Sequence, residues 1–279
     1  MQNLTDITEY CRAMTREDDP ERYYVSLFAP ASAQPHLWAL FAFNQEVAKT
    51  RESVSEPMIG EIRLQWWREA LEGITAGTPR EHLVVLGLNA IPNFSTIRPL
   101  LDTVIDGRAR DLEMEVETGI STLEGYADMV GGALHEAAAR IIVNDLNETD
   151  AELVRASGRA WAMLGVLRAL PYQIADTKAF SVTGATTQGL TGRSAQELEE
   201  QLEPLLTPAK TYVDREIMYA SGKPTDKSVR PMLAINALTR RHLKALKRAG
   251  GSRLGWRTMK MATCANLSRW PHIIFSRNT

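Results

Sequence analysis

The chain has 279 residues, 44% hydrophobic and 24% charged, with a formal net charge of −2. That is an ordinary globular composition with enough apolar mass for a sizeable core, and one large domain over residues 1–279 is the default. No stretch approaches the ~18 consecutive apolar residues of a membrane span, and Cys11 and Cys264 lie far apart with no CxxC or Cys/His spacing. This argues against a disulfide framework or a thiolate metal site and predicts two separate buried thiols.

Apolar residues recur at three- and four-residue spacings and alternating β-branched runs are nearly absent, so the fold class expected is all-α, a single helical bundle. In chain order, helices are expected over 5–17, 20–28, 35–53, 57–73, 80–90, 95–118, 122–144, 149–171, 194–218 and 228–248, with one or two more before the C-terminus. Ser121 with Glu124, and Ser194 with Glu197, have the spacing of capping boxes. The stretch "SVTGATTQGLTGRS", residues 181–194, reads as a loop. The N-terminus lacks the basic-then-apolar pattern of a secretory signal and the Arg-rich, acid-poor pattern of a transit peptide. The expected location is therefore cytoplasmic.

Charge is distributed unevenly. Residues 227–279 carry 12 of the 32 Lys and Arg and none of the 34 Asp and Glu. A basic C-terminal segment on an acidic body suits an anionic membrane surface or lipid, a protein partner, or the chain's own acidic body. Nucleic acid is disfavoured because no recognised nucleic-acid motif accompanies the charge.

Several segments could carry chemistry. "ALFAFNQEVAKTRE" begins apolar and then presents Asn44, Gln45, Glu46, Lys49, Arg51 and Glu52, as a helix lining a polar site would. "IRLQWWREAL" sets Trp66 and Trp67 beside Arg63 and Arg68. It reads either as one core and one edge Trp flanked by ion-paired arginines, or as an aromatic wall for an apolar ligand. "DLEMEVE" spaces Asp111 and Glu115, and Glu113 and Glu117, four apart, where they could meet a divalent ion or simply be solvated. Arg168 sits in an apolar stretch before Pro171, which is expected to end or kink the helix. A mostly buried Arg168 needs either a structural carboxylate or an anionic group in a cavity. The five histidines are scattered without HxxxH or HExxH spacing, so zinc is not expected.

Together "ALFAFNQEVAKTRE", "VIDGRARDLEMEVETGISTLEGYADMVGG", "SGRAWAMLGVLRALPYQ" and "RYYVSLFAP" resemble the squalene/phytoene synthase family, all-α enzymes that join two prenyl diphosphates head to head. The resemblance implies the isoprenoid-synthase bundle over about residues 5 to 180, extended loosely to the end. In that family two aspartate-rich motifs on facing helices hold magnesium ions that neutralise the diphosphate. Here the corresponding positions read Ala48, Lys49 and Glu52 in the first motif and Ala169, Tyr172 and Gln173 in the second. Arg22 stands where family members place a phosphate-binding Ser, ahead of Tyr23 and Tyr24.

The strings "AFNQEVAKTRESVSEPMIGEIRLQWWREAL" and "LRALPYQ" are similar to the branch of the family that acts in assembly of respiratory complex I. What this implies is a noncatalytic role with complex I subunits or assembly intermediates as partners, no cofactor, and a location peripheral on the inner membrane. The alternative is a divergent, magnesium-dependent prenyl diphosphate transferase. The resemblance also assigns a former active-site pocket formed by Arg22, Tyr24, Phe41, Asn44, Gln45, Ala48, Lys49, Glu52, Arg63, Trp66, Asp111, Tyr126, Arg168 and Tyr172. Lys49, Arg168 and Arg22 could hold an anionic or isoprenoid-like ligand there, or else pair with Glu52, Glu46 or Asp111.

Overall fold

The computed structural model describes residues 3–54, 56–112, 119–175 and 195–249, the side chains of 170–175, 195–205 and 249 excepted. Every described element is a helix, as the spacing predicts. The expected loop over 181–194, the Ser194–Glu197 capping box, Glu113, Glu115, Glu117, Cys264, any helix beyond 250 and the side chain of Tyr172 lie outside the described residues.

The centre is α3, Gln34–Ala48, which buries every residue from Leu37 to Asn44. A helix apolar all round has no solvent face and must be enclosed. It is covered by α1 (Leu4–Asp18), α5 (Leu83–Asn89), α2 (Pro20–Ser26) and α8 (Ala133–Ile142). The second long scaffold is α9, Glu148–Ala175, packed on α8, on α10 (Ala195–Tyr219) and on α12 (Ile235–Ala249). Between them lie α4 (Pro57–Thr75), α6 (Phe94–Ala109), α7 (Ile120–Ala127) and the single turn α11 (Arg230–Leu233). The main core gathers Phe41, Phe43, Leu64, Trp67, Leu101, Leu134 and Leu164, and a second apolar cluster joins α7, α9, α10 and α12 through Tyr126, Met163, Val213 and Leu243.

Four local expectations need correction. The helix expected over 35–53 stops at Ala48, and Thr50 to Ser53 form turns closed by Thr50 N–H to Val47 O (3.2 Å) and Ser53 N–H to Lys49 O (3.0 Å). Ser121 caps nothing: α7 already begins at Ile120, with Gly119 at the cap position and no side-chain cap. The helix expected over 149–171 runs four residues past Pro171, to Ala175. The single helix expected over 122–144 is α7 and α8 joined by a π-helical turn, Asp128–Gly132.

That turn has a tertiary cause. A Cβ built on Gly131 would lie 2.3 Å from the carbonyl oxygen of Gly158, and one built on Gly158 would lie 2.2 Å from that of Gly131. Backbone meets backbone here, and the wider turn carries the chain into contact. Asp128, at the head of the turn, bonds Arg155 and Arg159 of α9 and anchors it.

His242 of α12 packs edge-on to Trp161 of α9. Burial first, then the charges of Arg168 and Arg241, push its pKa down from 6.5 to about 4. The fold thus holds His242 neutral, and its contribution is complete above pH 6.5 and lost as pH falls toward 4. Unfolding free energy measured by urea titration is expected to fall across that window, and His242→Phe to flatten the fall.

Candidate functional site

The expected site begins at the end of α1. Asp19 caps α2, with Pro20 in the first turn, and accepts from Arg22 N–H at 3.2 Å. Its other carboxylate oxygen accepts from the Arg22 guanidinium at 2.7 Å and from Gln45 Nε2 of α3 at 3.1 Å. Arg22 is 8% exposed and Asp19 5%, so this is a buried ion pair with its acceptors well filled. The Arg22 guanidinium also lies 5.9 Å from the Phe41 ring centroid.

From the opposite side His135 of α8 brings Nε2 to 3.5 Å from Arg22 Nε. Burial, followed by the Arg22 charge, holds the His135 pKa well below its ordinary value, so the imidazole is neutral. Arginine can only donate, so Nε2 is the acceptor and the proton rests on Nδ1. Among the described residues, Nδ1 of His135 and Oδ1 of Asn44 are both buried without a hydrogen-bond partner. The Arg22 charge is therefore neutralised by Asp19, while the His135 donor stays unused among the described residues.

The first-motif positions behave differently from the resemblance's enzymes. Lys49 forms an ion pair with Asp18 at 2.7 Å, Ala48 offers no ligand atom, and Glu52 is exposed. On α9 Ala169 likewise offers none. At Asp18 the Lys49 ammonium already stands where a divalent cation would need a free carboxylate. Among the described residues no group of three or more His, Cys, Asp or Glu side chains is arranged to hold a metal.

A separate polar cluster forms where α6 runs into the 3-10 turn Arg110–Leu112. Arg108 donates to the Tyr126 hydroxyl at 2.8 Å and lies 3.4 Å from Asp111, to which Tyr126 also donates at 3.1 Å. Burial raises the Asp111 pKa, opposed by Arg108, the Tyr126 hydroxyl and Arg51. Asp111 is thus held by an arginine and a phenol rather than offered to an ion.

Arg168 is half-buried and lies 5.8 Å from the Trp161 ring centroid. Its charge also reaches Glu21 of α2, whose pKa is raised by burial and by Asp19 and lowered by Arg168. Arg63 pairs with Glu46 at 3.4 Å. Trp67 is a core residue, and Trp66 stands at its edge with the Arg80 guanidinium 5.1 Å from its ring centroid. Tyr24 is partly buried against the main core, its ring edge-on to Tyr23. Of the expected pocket residues, then, Arg22, Phe41 and Gln45 converge with Asp19. Asp111 and Tyr126 form a second group, and Arg63, Trp66 and Arg168 each belong to other contacts. The structure adds Asp18, Asp19, Arg108 and His135, which sequence patterns alone do not single out. Only Asp19 carries a legible signal, an Asp-Pro step at a helix start.

The sequence model of the squalene/phytoene synthase family matches residues 15–262. The chain belongs to the squalene/phytoene synthase family. Solved structures agree on the fold. The chain superposes on the squalene synthase HpnC from Alicyclobacillus acidocaldarius with a TM-score of 0.69 at 19% identity, covering 88% of this chain and 95% of that one. A dehydrosqualene synthase in complex with ligand gives 0.64 at 14% identity over 93% and 97%. Curated relatives of this family member include the human and mouse proteins named NADH dehydrogenase (ubiquinone) complex I, assembly factor 6. Each is 32% identical over 173 residues, 61% of this chain and 51% of the relative. The chain thus spans about half the length of the curated relatives it matches. No helix among the described residues is long and apolar enough to cross a membrane.

Proposed function

We propose that this protein acts in the assembly of respiratory complex I as a noncatalytic member of the squalene/phytoene synthase family. The observation that carries the reading is the 32% identity over 173 residues to proteins named for that role. The chemistry of the cleft supports it: Lys49 is committed to Asp18 and Arg22 to Asp19, where a diphosphate and its magnesium ions would need free carboxylates and free cations. An anionic group entering beside Arg22 would meet a guanidinium whose charge Asp19 already neutralises at 2.7 Å. The reading therefore gives the site an uncharged ligand rather than a diphosphate. It places the protein at the surface of the membrane that carries the complex, with complex I subunits or assembly intermediates as partners.

Deleting the gene and measuring assembled complex I together with terpenoid products tests this. Loss of the assembled complex with unchanged terpenoids is the expected result. Normal complex I with missing terpenoid products would overturn it in favour of a prenyl diphosphate transferase.

A further inference from the structure

The two sides of α12 have opposite chemistry. Ile235, Leu238, Thr239 and Leu243 are buried, while Arg240, Arg241, Lys244, Lys247 and Arg248 are exposed. At 3.6 residues per turn these five cations fall within an arc of about 120°. The helix contains no acidic residue. Arg241, Lys244 and Arg248 have no carboxylate partner among the described residues, so their mutual repulsion is not offset within the fold described.

The register against α10 sets an apolar group into this face. Lys247 pairs with Asp214, and Arg240 donates to the Ser221 hydroxyl and to the Ile217 carbonyl oxygen, the latter at 3.3 Å. Met218 lies one turn beyond Asp214 and just short of Ser221, so it sits between those two cross-helix contacts at the level of Lys244. It is 73% exposed, and Tyr219, the last residue of α10, is 49% exposed. An unbranched apolar side chain projecting from a field of cations gains nothing against a polyphosphate backbone or an acidic peptide in water. Against a bilayer it can enter the acyl boundary while the arginines and lysines meet the headgroups.

We propose that the outer face of α12, with Met218 set into it, is a docking surface for an anionic lipid bilayer. The proposal rests on the complex I reading only for which membrane is met. The binding face is argued from α10 and α12 alone, so its failure would leave the outcome of the gene deletion unaffected.

The test is sedimentation of the full chain with phosphatidylcholine vesicles with and without phosphatidylglycerol. Binding is expected only with phosphatidylglycerol and is expected to weaken as salt rises. At about fivefold per cation, the triple variant Arg241→Gln, Lys244→Gln, Arg248→Gln should bind about 100-fold more weakly. Lys244→Gln alone should lose about fivefold and Met218→Ser about tenfold, with thermal unfolding unchanged in each because all four side chains are exposed. Equal binding to pure phosphatidylcholine would overturn the proposal. So would a triple variant that sediments like the parent, which would move the binding to another segment. Tight binding to duplex DNA with no vesicle preference would assign the face to nucleic acid instead.

Discussion

Asp19→Ala is expected to destabilise the protein by about 3–5 kcal/mol, because it leaves the Arg22 guanidinium buried without its carboxylate and removes the cap of α2. Asp19 satisfies three donors on two helices, so few substitutions elsewhere in the cleft should cost more. The reason is desolvation rather than the worth of the pair: two ions at 5% and 8% exposure have given up water, and removing one strands the other. The double variant Asp19→Asn, Arg22→Met keeps a capping side chain and removes both charges, and it is expected to recover most of the loss. Urea denaturation of Asp19→Asn, Arg22→Met and the double variant closes the cycle. A loss below about 1 kcal/mol for Asp19→Ala would mean that water reaches Arg22 freely and that the cleft is not sealed around a neutralised pair.

Gly158→Ala should cost about 3 kcal/mol or more. In a helix interior the same exchange ordinarily stabilises by about 0.5–1 kcal/mol. Here the new methyl would sit 2.2 Å from a carbonyl oxygen of the π-helical turn, and backbone cannot rotate aside as a side chain can. An internal control lies on the same helix: Gly165 is exposed and a Cβ there meets nothing within 4 Å, so Gly165→Ala is expected to stabilise. Opposite signs for two identical substitutions seven residues apart, read from thermal unfolding, would establish the close contact. Two stabilising results would remove it.

The same pair of positions shows what is legible in the sequence. The apolar spacing of α3, α4 and α9 announces buried helices because burial follows a 3.6-residue period. That Gly131 and Gly158 meet is not readable, since the contact joins residues 27 apart that are ordinary singly. Polar partners are hidden for the same reason. Lys49 is expected to face an anion or a carboxylate on its own or a facing helix, and its partner is instead Asp18 on α1. His135 is one of five scattered histidines, and only packing of α8 on α3 brings it to Arg22 across 113 positions. That Trp66 and Trp67 face different surroundings is legible, because an adjacent pair on a helix points about 100° apart, but only the structure assigns Trp67 to the core.

The Lys49–Asp18 contact bears on which residues position 49 accepts. An aspartate there would face Asp18, and two anions at a shared contact repel. Exchanging the two charges together, Asp18→Lys with Lys49→Asp, restores an opposite-charge contact that either exchange alone removes. The two positions, at the ends of separate helices and 31 residues apart, thus constrain one another's sign of charge without constraining one another's identity.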